Sequence, residues 1–387
     1  MTFYGKIILF VYHYRILFNV VIVAVILNTT GDIMKLEAAL KNLVSPRFSK
    51  VLIPWLFKNP RYLANASVLL RAFRQCESTR QQLLSNENLL VPPVMILSIT
   101  NNCNLQCQGC FVEKLKGEQM TLSDWQKIIN QAKQLGVFAF LIAGGEPFLM
   151  KDLLDLIASN KDRVFAIFTN GTCINNEQLQ FLKKTSNLAI VLSLEGDERL
   201  TNQRRGEKVY KKVLTTLKNL SKQGVLSGIS ITVTKDNYEY WMVDNNIDYF
   251  IELGAKLCFF IEYIGAEEDG KSLTTDQRQL FRKKILEYKD EKPIFIIHSP
   301  GDEEPFGGCV SAGRGFIHVN ALGDLTPCPI TNVSTHNMRY STLKEGLKSR
   351  LFREIRDNKL LEDGKGPCSL ISHRDELEQI VRKVRTI

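Results

Sequence analysis

From Val94 onward the chain repeats one pattern six times: a short, continuous apolar run and then an amphipathic stretch. The runs lie at 94–100 (VMILSIT), 137–143 (VFAFLIA), 164–170 (VFAIFTN), 188–194 (LAIVLSL), 228–234 (GISITVT) and 256–264 (KLCFFIEYI). They are rich in Val, Ile and Phe and do not alternate apolar with polar. A parallel strand covered on both faces requires that. Between them, 121–136 places Leu122, Trp125, Ile128, Ile129, Ala132 and Leu135 on one helical face, with Thr121 and Asp124 spaced as a capping pair. The stretch 207–224 ends at Gly224, as a helix C-cap does. Such alternation leaves a (β/α) barrel or an open doubly wound sheet. Both gather function in the loops after the C-terminal ends of the strands.

Composition narrows the class. The 387 residues are 44% hydrophobic and 24% charged, so a sizeable core is possible, and disorder, a collagen-like chain or a small disulfide scaffold is excluded. Net charge is +9, but residues 1–92 carry eleven Lys/Arg against four acids, leaving +2 on the other 295. A basic leader on a near-neutral body argues against a long phosphate track and hence against nucleic acid. It points to a local partner: an anionic membrane surface, an acidic substrate or solvent.

Residues 1–33 form an apolar leader. The 7–27 stretch is long enough to span a bilayer, but His13, Arg15 and Asn19 interrupt it, and the apolar run after Arg15 is nearer a signal-peptide core in length. A start at Met34, where MKLEAALKNLV begins, is the favoured expectation, with a membrane anchor as the alternative. Residues 34–92 form a basic helical segment, expected to break at Pro54 and Pro60. There Lys50, Lys58, Arg61, Arg71 and Arg74 are interleaved with Trp55, Phe57, Tyr62 and Phe73. This is either an interfacial helix for anionic lipid or, the favoured reading, a helical layer packed on the next domain with its basic residues in water.

The chemistry sits after the first two strands. NNCNLQCQGCF places Cys103, Cys107 and Cys110 as C-x3-C-x2-C on one polar loop. Soft sulfur donors select zinc, copper(I) or iron–sulfur clusters. Structural zinc favours paired C-x2-C knuckles, whereas three thiolates on one loop suit three irons of a [4Fe–4S] cube with the fourth left open. After the second strand comes Gly144-Gly145-Glu146-Pro147. Two glycines allow backbone to approach a ligand closely, Glu146 offers an acceptor for an ammonium group, and Pro147 stiffens the turn.

These residues resemble the radical S-adenosylmethionine (SAM) enzymes, whose hallmark is this cysteine spacing after the first strand of a partial (β/α)6 TIM-like barrel. The resemblance implies that SAM docks on the open iron and is cleaved to a 5′-deoxyadenosyl radical, which abstracts hydrogen from substrate. It implies SAM contacts from Gly144, Gly145, Glu146 and Pro147, from Asn170 in the FTNGT run, and from Ser193 with Arg205 for the carboxylate. An ion pair of Arg205 with Glu195 or Asp197 is the competing assignment. Gly109 stands where the family usually carries an aromatic residue near the adenine, so Phe111 is the candidate for that contact.

Downstream, Cys309, Gly323 and Cys328 are separated by thirteen and four residues, and RGFIHVN–ALGD–LTPC reads as a β-hairpin turning at Gly323. This resembles the opening of the twitch and SPASM extensions. It implies one auxiliary [4Fe–4S] cluster on Cys309, Cys328 and Cys368, its fourth ligand unassigned. Cys76, Cys173 and Cys258 read as structural, and His298 and His373 as surface residues or supports beside the ligands. The domains are then 1–33, 34–92, a radical SAM partial barrel at 93–300 and a small α+β cluster-binding extension at 301–387.

The implied enzyme acts most often on a peptide or protein, alternatively in haem or other cofactor biosynthesis, with a reductant such as flavodoxin or ferredoxin. No side-chain catalytic residue is assigned beyond the cluster ligands. Oxygen-sensitive clusters place the body in the cytoplasm, with the inner membrane face as a further site for the basic helices. The reading from another class is a non-catalytic zinc or iron–sulfur module that binds a partner.

Overall fold

The structure, a computed structural model, describes residues 46–112, 115–265, 270–362 and 368–385. The leader at 1–33 and the candidate start at Met34 lie outside the described residues. Among the described residues two helices, α1 (Pro46–Lys58) and α2 (Pro60–Glu87), precede β1 (Val94–Ser98). The alternation continues through α3 (Leu122–Gln134), β2 (Ala139–Ala143), α4 (Leu153–Ala158), β3 (Val164–Thr169), α5 (Asn176–Leu182) and β4 (Leu188–Leu194). Helices α6 (Glu198–Arg205) and α7 (Val209–Lys222) lead to β5 (Ser227–Val233), and α8 (Tyr238–Trp241) with α9 (Asp244–Glu252) leads to β6 (Leu257–Glu262). After α10 (Thr275–Glu291) come β7 (Phe295–Ser299), β8 (Phe316–Val319) and β9 (Leu325–Thr326). The chain then runs through α11 (Leu343–Leu347), α12 (Arg350–Asp357), α13 (Ser369–Ser372) and α14 (Arg374–Arg385).

The strands are ordered β7-β6-β5-β4-β3-β2-β1-β8-β9 in one sheet. β1 pairs in parallel with β2 and β8, and β4 through β7 pair in parallel in succession, while β8 and β9 are antiparallel. The six apolar runs are six strands of the partial (β/α)6 barrel. β7 and β8 lengthen the parallel series, which the apolar runs alone do not indicate. Burial explains the unbroken apolar runs: β4 and β5 are each buried at every position but one, so both faces are covered.

The chain divides into two compact units. Of the described residues the first takes those from 46 to Leu70, Leu105–Gly109 and Ala166–Asp302. Here α1 and the start of α2 form a packed layer: the Phe48 ring lies 6.2 Å from that of Phe295, and the Leu226 amide donates to the Tyr62 hydroxyl at 2.8 Å. Arg61 donates to the Gly224 carbonyl, while Lys50 and Lys58 stay exposed. Pro54 does not break α1 as expected. Its ring is exposed, and Lys50, whose carbonyl loses the i→i−4 bond, is exposed too, so water can serve that group.

The second unit takes Arg71–Asn104, Cys110–Phe165 and Glu303 onward. α3 buries Trp125, Ile128, Ile129 and Ala132, and Thr121 and Asp124 form the capping box that their spacing implied. β8 and β9 make the hairpin, His318 opposite Thr326 and Val319 opposite Leu325, with Gly323 at positive φ (+95°) in the turn. Among the described residues no helix is long and apolar enough to cross a membrane.

Candidate functional site

In the second unit β1 ends at Ser98, and the chain that leads to Cys103 is held residue by residue. The side-chain oxygen of Gln119 accepts from the Asn101 amide at 2.9 Å and lies 3.0 Å from the Thr100 hydroxyl, which accepts from the Asn102 amide at 3.1 Å. The Gly144–Pro147 turn closes on the same segment. The Gly145 amide donates to the Thr100 carbonyl at 2.6 Å and the Glu146 amide to the Asn102 carbonyl at 2.8 Å. A Cβ on Gly144 would sit 2.6 Å from the Thr100 oxygen, and one on Gly145 would sit 2.2 Å from that of Asn102. The close approach that needs the two glycines is therefore backbone against backbone. Glu146 is fully buried and accepts the Phe148 amide at 3.0 Å, and Pro147 opens a 3-10 turn, Pro147–Leu149. Cys103 and Cys110 are exposed, as is Phe111 at 53%.

In the first unit Leu105–Gly109 carries Cys107, which is half-buried. Arg204, at the end of α6, clamps this segment: its carbonyl accepts the Gln108 amide at 2.9 Å and its guanidinium donates to the Gly109 carbonyl at 3.3 Å. The same guanidinium reaches the Glu195 carboxylate at 2.6 Å. Arg205 joins Glu195 through Nε at 2.7 Å, so the ion pair weighed against carboxylate binding is present. All these bonds converge on Oε1; Oε2 of Glu195 is buried and without a partner among the described residues. Behind Glu195, Trp241 and Asn237 donate to its main-chain carbonyl at 3.0 and 3.1 Å, fixing the end of β4. A cavity of about 30 Å³, lined by Gln108, Glu195, Arg204, Asn237, Tyr263 and Lys271 among others, has room for about two waters.

Gly109 is left-handed (φ +61°), and a Cβ there would touch the Tyr263 ring at 3.0 Å. An aromatic residue at 109 is thus replaced by an aromatic side chain from elsewhere in the chain. Asn170 is buried and caps a turn, accepting the Thr172 amide at 2.9 Å and its hydroxyl at 2.7 Å. Ser193 is half-buried near the end of β4. Arg204, Glu195 and Tyr263 were not singled out as site residues by the sequence, although the Arg204–Arg205 pair before Gly206 is visible in it.

The C-terminal cysteines lie in the second unit. The Cys309 amide donates to the Leu361 carbonyl at 2.7 Å, and Arg314 donates to the carbonyls of Cys309 (2.7 Å) and Phe306. The Ala312 amide reaches the Pro327 carbonyl at 3.1 Å, drawing the Cys309 and Cys328 segments together. Burial pushes all three thiols up. Glu303 adds to that push in each of them, Cys328 adds to it in Cys309, and Cys368 adds to it in Cys328. Soft donors, two of them buried and the third half-buried, are of the chemistry an iron–sulfur group takes. None of the nine cysteines is joined in a disulfide. Among the described residues no three His, Cys, Asp or Glu side chains are gathered tightly enough to hold one metal ion. A cube takes each thiolate on a different iron, which is a looser requirement.

Cys258 is fully buried in β6 and Cys76 is buried in α2, its thiol toward the Val137 carbonyl at 3.8 Å, as structural cysteines are. His298 is a correction: it is 1% exposed, 3.0 Å from Glu262 and edge-on to Phe281, because β7 is a parallel strand packed into the core and not a surface run.

Residues 97–245 match the family model described as the radical SAM superfamily. Among curated proteins, the antilisterial bacteriocin subtilosin biosynthesis protein AlbA of Bacillus subtilis is 27% identical over 290 residues, 71% of this chain and 63% of AlbA. The AdoMet-dependent heme synthase of Methanosarcina barkeri is 23% identical over 318 residues, 73% of this chain and 89% of that protein. Among solved structures, Streptococcus suis SuiB bound to precursor peptide SuiA superposes with TM-score 0.61 at 21% identity, over 80% of this chain and 74% of that one. That likeness concerns the fold.

Proposed function

We propose that this chain, a member of the radical SAM superfamily, modifies a peptide or protein by abstracting hydrogen from it. The observation that carries the reading is the pair of bonds from the Gly145 and Glu146 amides to the Thr100 and Asn102 carbonyls. They tie the glycine turn to the segment entering Cys103, a coupling that a spare metal knuckle has no use for. Members of the superfamily use a [4Fe–4S] cluster and SAM, and those with SPASM or twitch extensions carry auxiliary clusters.

Cys103, Cys107 and Cys110 would hold the first cluster. Gly144, Gly145, Glu146 and Pro147, with Asn170, Ser193 and Arg205, would seat SAM, and Phe111 or Tyr263 would meet its adenine. Bound there, the cluster and SAM supply a carbon-centred radical by reductive cleavage of the sulfonium. The chain's own part is to orient the ligands and exclude water. Arg205 has five N–H donors and directs two of its nitrogens at Glu195, so donors remain for a ligand carboxylate. Cys309, Cys328 and Cys368 would hold the auxiliary cluster.

The name of AlbA, a bacteriocin biosynthesis protein, favours a peptide substrate. A haem-precursor substrate is the second reading, favoured by the alignment over most of the heme synthase. We place the enzyme in the cytoplasm beside a flavodoxin- or ferredoxin-type reductant. Contact of its basic helices with the membrane is a weaker proposal, since Tyr62 faces the core and Arg61 is engaged by Gly224. The test is anaerobic reconstitution, with SAM and dithionite then added. Formation of 5′-deoxyadenosine is expected, and zinc in place of iron with no 5′-deoxyadenosine refutes the enzyme reading. A peptide encoded beside the gene and an iron porphyrin, offered in separate reactions, decide between the substrates by mass change.

A further inference from the structure

A buried histidine sits between the two cysteine-bearing parts of the second unit. His318, on β8, is 3% exposed and pairs in register with Ile96 of β1. Its Nε2 lies 2.8 Å from the hydroxyl of Ser98, the last residue of β1, and its Nδ1 lies 2.7 Å from the hydroxyl of Thr326 on β9. Thr326 in turn donates to the carbonyl of Cys328 at 3.1 Å. Thr331 donates to that carbonyl as well, from its amide at 3.2 Å and its hydroxyl at 3.3 Å. Ser98 is 7% exposed and Thr326 fully buried, so no water competes for these groups.

The proton positions come from counting. With the single hydroxyl proton of Thr326 given to the Cys328 carbonyl, its oxygen accepts and Nδ1 of His318 carries hydrogen. Nε2 is then bare and accepts from Ser98. The chain of bonds runs in one direction, from Ser98 through the ring and Thr326 to the Cys328 peptide, and every member is satisfied by a neutral imidazole. Burial holds the ring neutral, pushing its pKa down to about 3. Buried polar networks that are fully satisfied fix a single geometry, whereas an apolar ring would fill the space without fixing anything.

We propose that His318 is a positioning residue for the auxiliary cluster, aiming the Thr326 hydroxyl at the Cys328 peptide and so anchoring that ligand to β1. This rests on the reading of Cys309, Cys328 and Cys368 as cluster ligands. Partners one shell removed from a ligand orient it, and their loss typically costs ten- to a hundredfold in metal affinity.

The test uses the anaerobically reconstituted full chain, with iron release to a chelator and the electron paramagnetic resonance signal of each reduced cluster as readouts. Signals are assigned with a Cys103→Ala/Cys107→Ala/Cys110→Ala variant, which keeps only the auxiliary cluster. Thr326→Val removes the hydroxyl at nearly constant shape, and Thr326→Ser restores it. His318→Gln keeps a polar atom toward Ser98 but loses the Nδ1 arm, and His318→Asn does the reverse. Thr326→Val and His318→Gln should release auxiliary-cluster iron roughly ten- to a hundredfold faster and alter its signal, with the other cluster unchanged. Thr326→Ser and His318→Asn should behave as wild type. Equal behaviour of Val and Ser at 326, or of Gln and Asn at 318, overturns the proposal, as does equal loss from both clusters. If one pair fails to fold, the other decides. Wild-type protein that takes up iron for one cube only removes the auxiliary-cluster reading itself, and this proposal with it.

Discussion

Gly145→Ala is the sharpest perturbation of the site. Gly145 has an ordinary backbone conformation, so alanine is locally tolerated; the obstacle is the Asn102 carbonyl oxygen, 2.2 Å from where the methyl would stand. Ordinary contact begins near 3.4 Å, so the two backbones must separate by about 1 Å. Both neighbouring amide bonds, at 2.6 and 2.8 Å, then lengthen past usefulness. Two such bonds contribute about 1–3 kcal/mol together, and overpacking adds about 1–3 kcal/mol, so local stability falls by about 2–6 kcal/mol. Misplacing a reacting group by about 1 Å costs on the order of a hundredfold in rate. The assays are hydrogen exchange of the 98–104 segment and the rate of 5′-deoxyadenosine formation. Gly206→Ala is the control: its φ is +110°, but nothing lies within 4 Å of the added methyl, so it should strain the end of α6 and leave 98–104 protected. Wild-type exchange and wild-type rate in Gly145→Ala would refute the account of the glycine turn.

The same contacts set other outcomes. Arg204→Gln leaves Glu195 with Arg205 alone and frees the Gly109 carbonyl; unfolding stability should drop by about 1–3 kcal/mol and exchange of 105–109 should rise, read by urea titration and mass spectrometry. Cys258→Ala should lose about 1 kcal/mol or somewhat more by urea titration while iron per chain stays at the wild-type value, whereas Cys328→Ser should lose the iron of one cluster. His318, with its folded pKa depressed to about 3, binds its proton in the unfolded chain first, so stability is full above about 6.5 and falls as pH drops toward 3. Its share between pH 6.5 and 5 is about 2 kcal/mol, and the unfolding free energy lost over that range, read by urea titration, should be smaller in His318→Asn by that amount.

The barrel was legible because covering both faces of a parallel sheet forces an unbroken apolar run, and six such runs are hard to produce otherwise. β7 escaped because a short run between Pro293 and Pro300 carries too little pattern to separate from a loop, and its burial comes from pairing with β6. Pro54 misled for the opposite reason: a local rule about helix interiors does not know which side of the helix is wet. At the site, residue types and spacing gave the donors, but not what holds them. That the glycines of Gly144–Pro147 serve the Cys103 segment depends on two strands being neighbours. Tyr263 filling the space beside Gly109 depends on a strand more than 150 residues away in sequence, so no local signal marks it.

The two cysteine sets also differ in exposure, and this bears on what each cluster is for. Cys103 and Cys110 stand exposed, and backbone bonds hold the segment that enters Cys103, which suits the cluster proposed there, since a ligand the size of SAM would have to reach its open iron. Of the ligands proposed for the auxiliary cluster, Cys328 and Cys368 are buried, at 8% and 9% exposure, Cys309 is half-buried, and burial pushes all three thiols up. A cluster held mainly by buried thiolates would be less open to substrate than one on an exposed loop, and its potential would respond to the dipoles packed around it. Of the two roles open to an auxiliary cluster, passing an electron or gripping substrate, burial favours the first. A fixed, neutral His318, two hydrogen bonds from the Cys328 peptide, would then help to hold that environment constant, since a ring that titrated in the working range would change the field there with every proton.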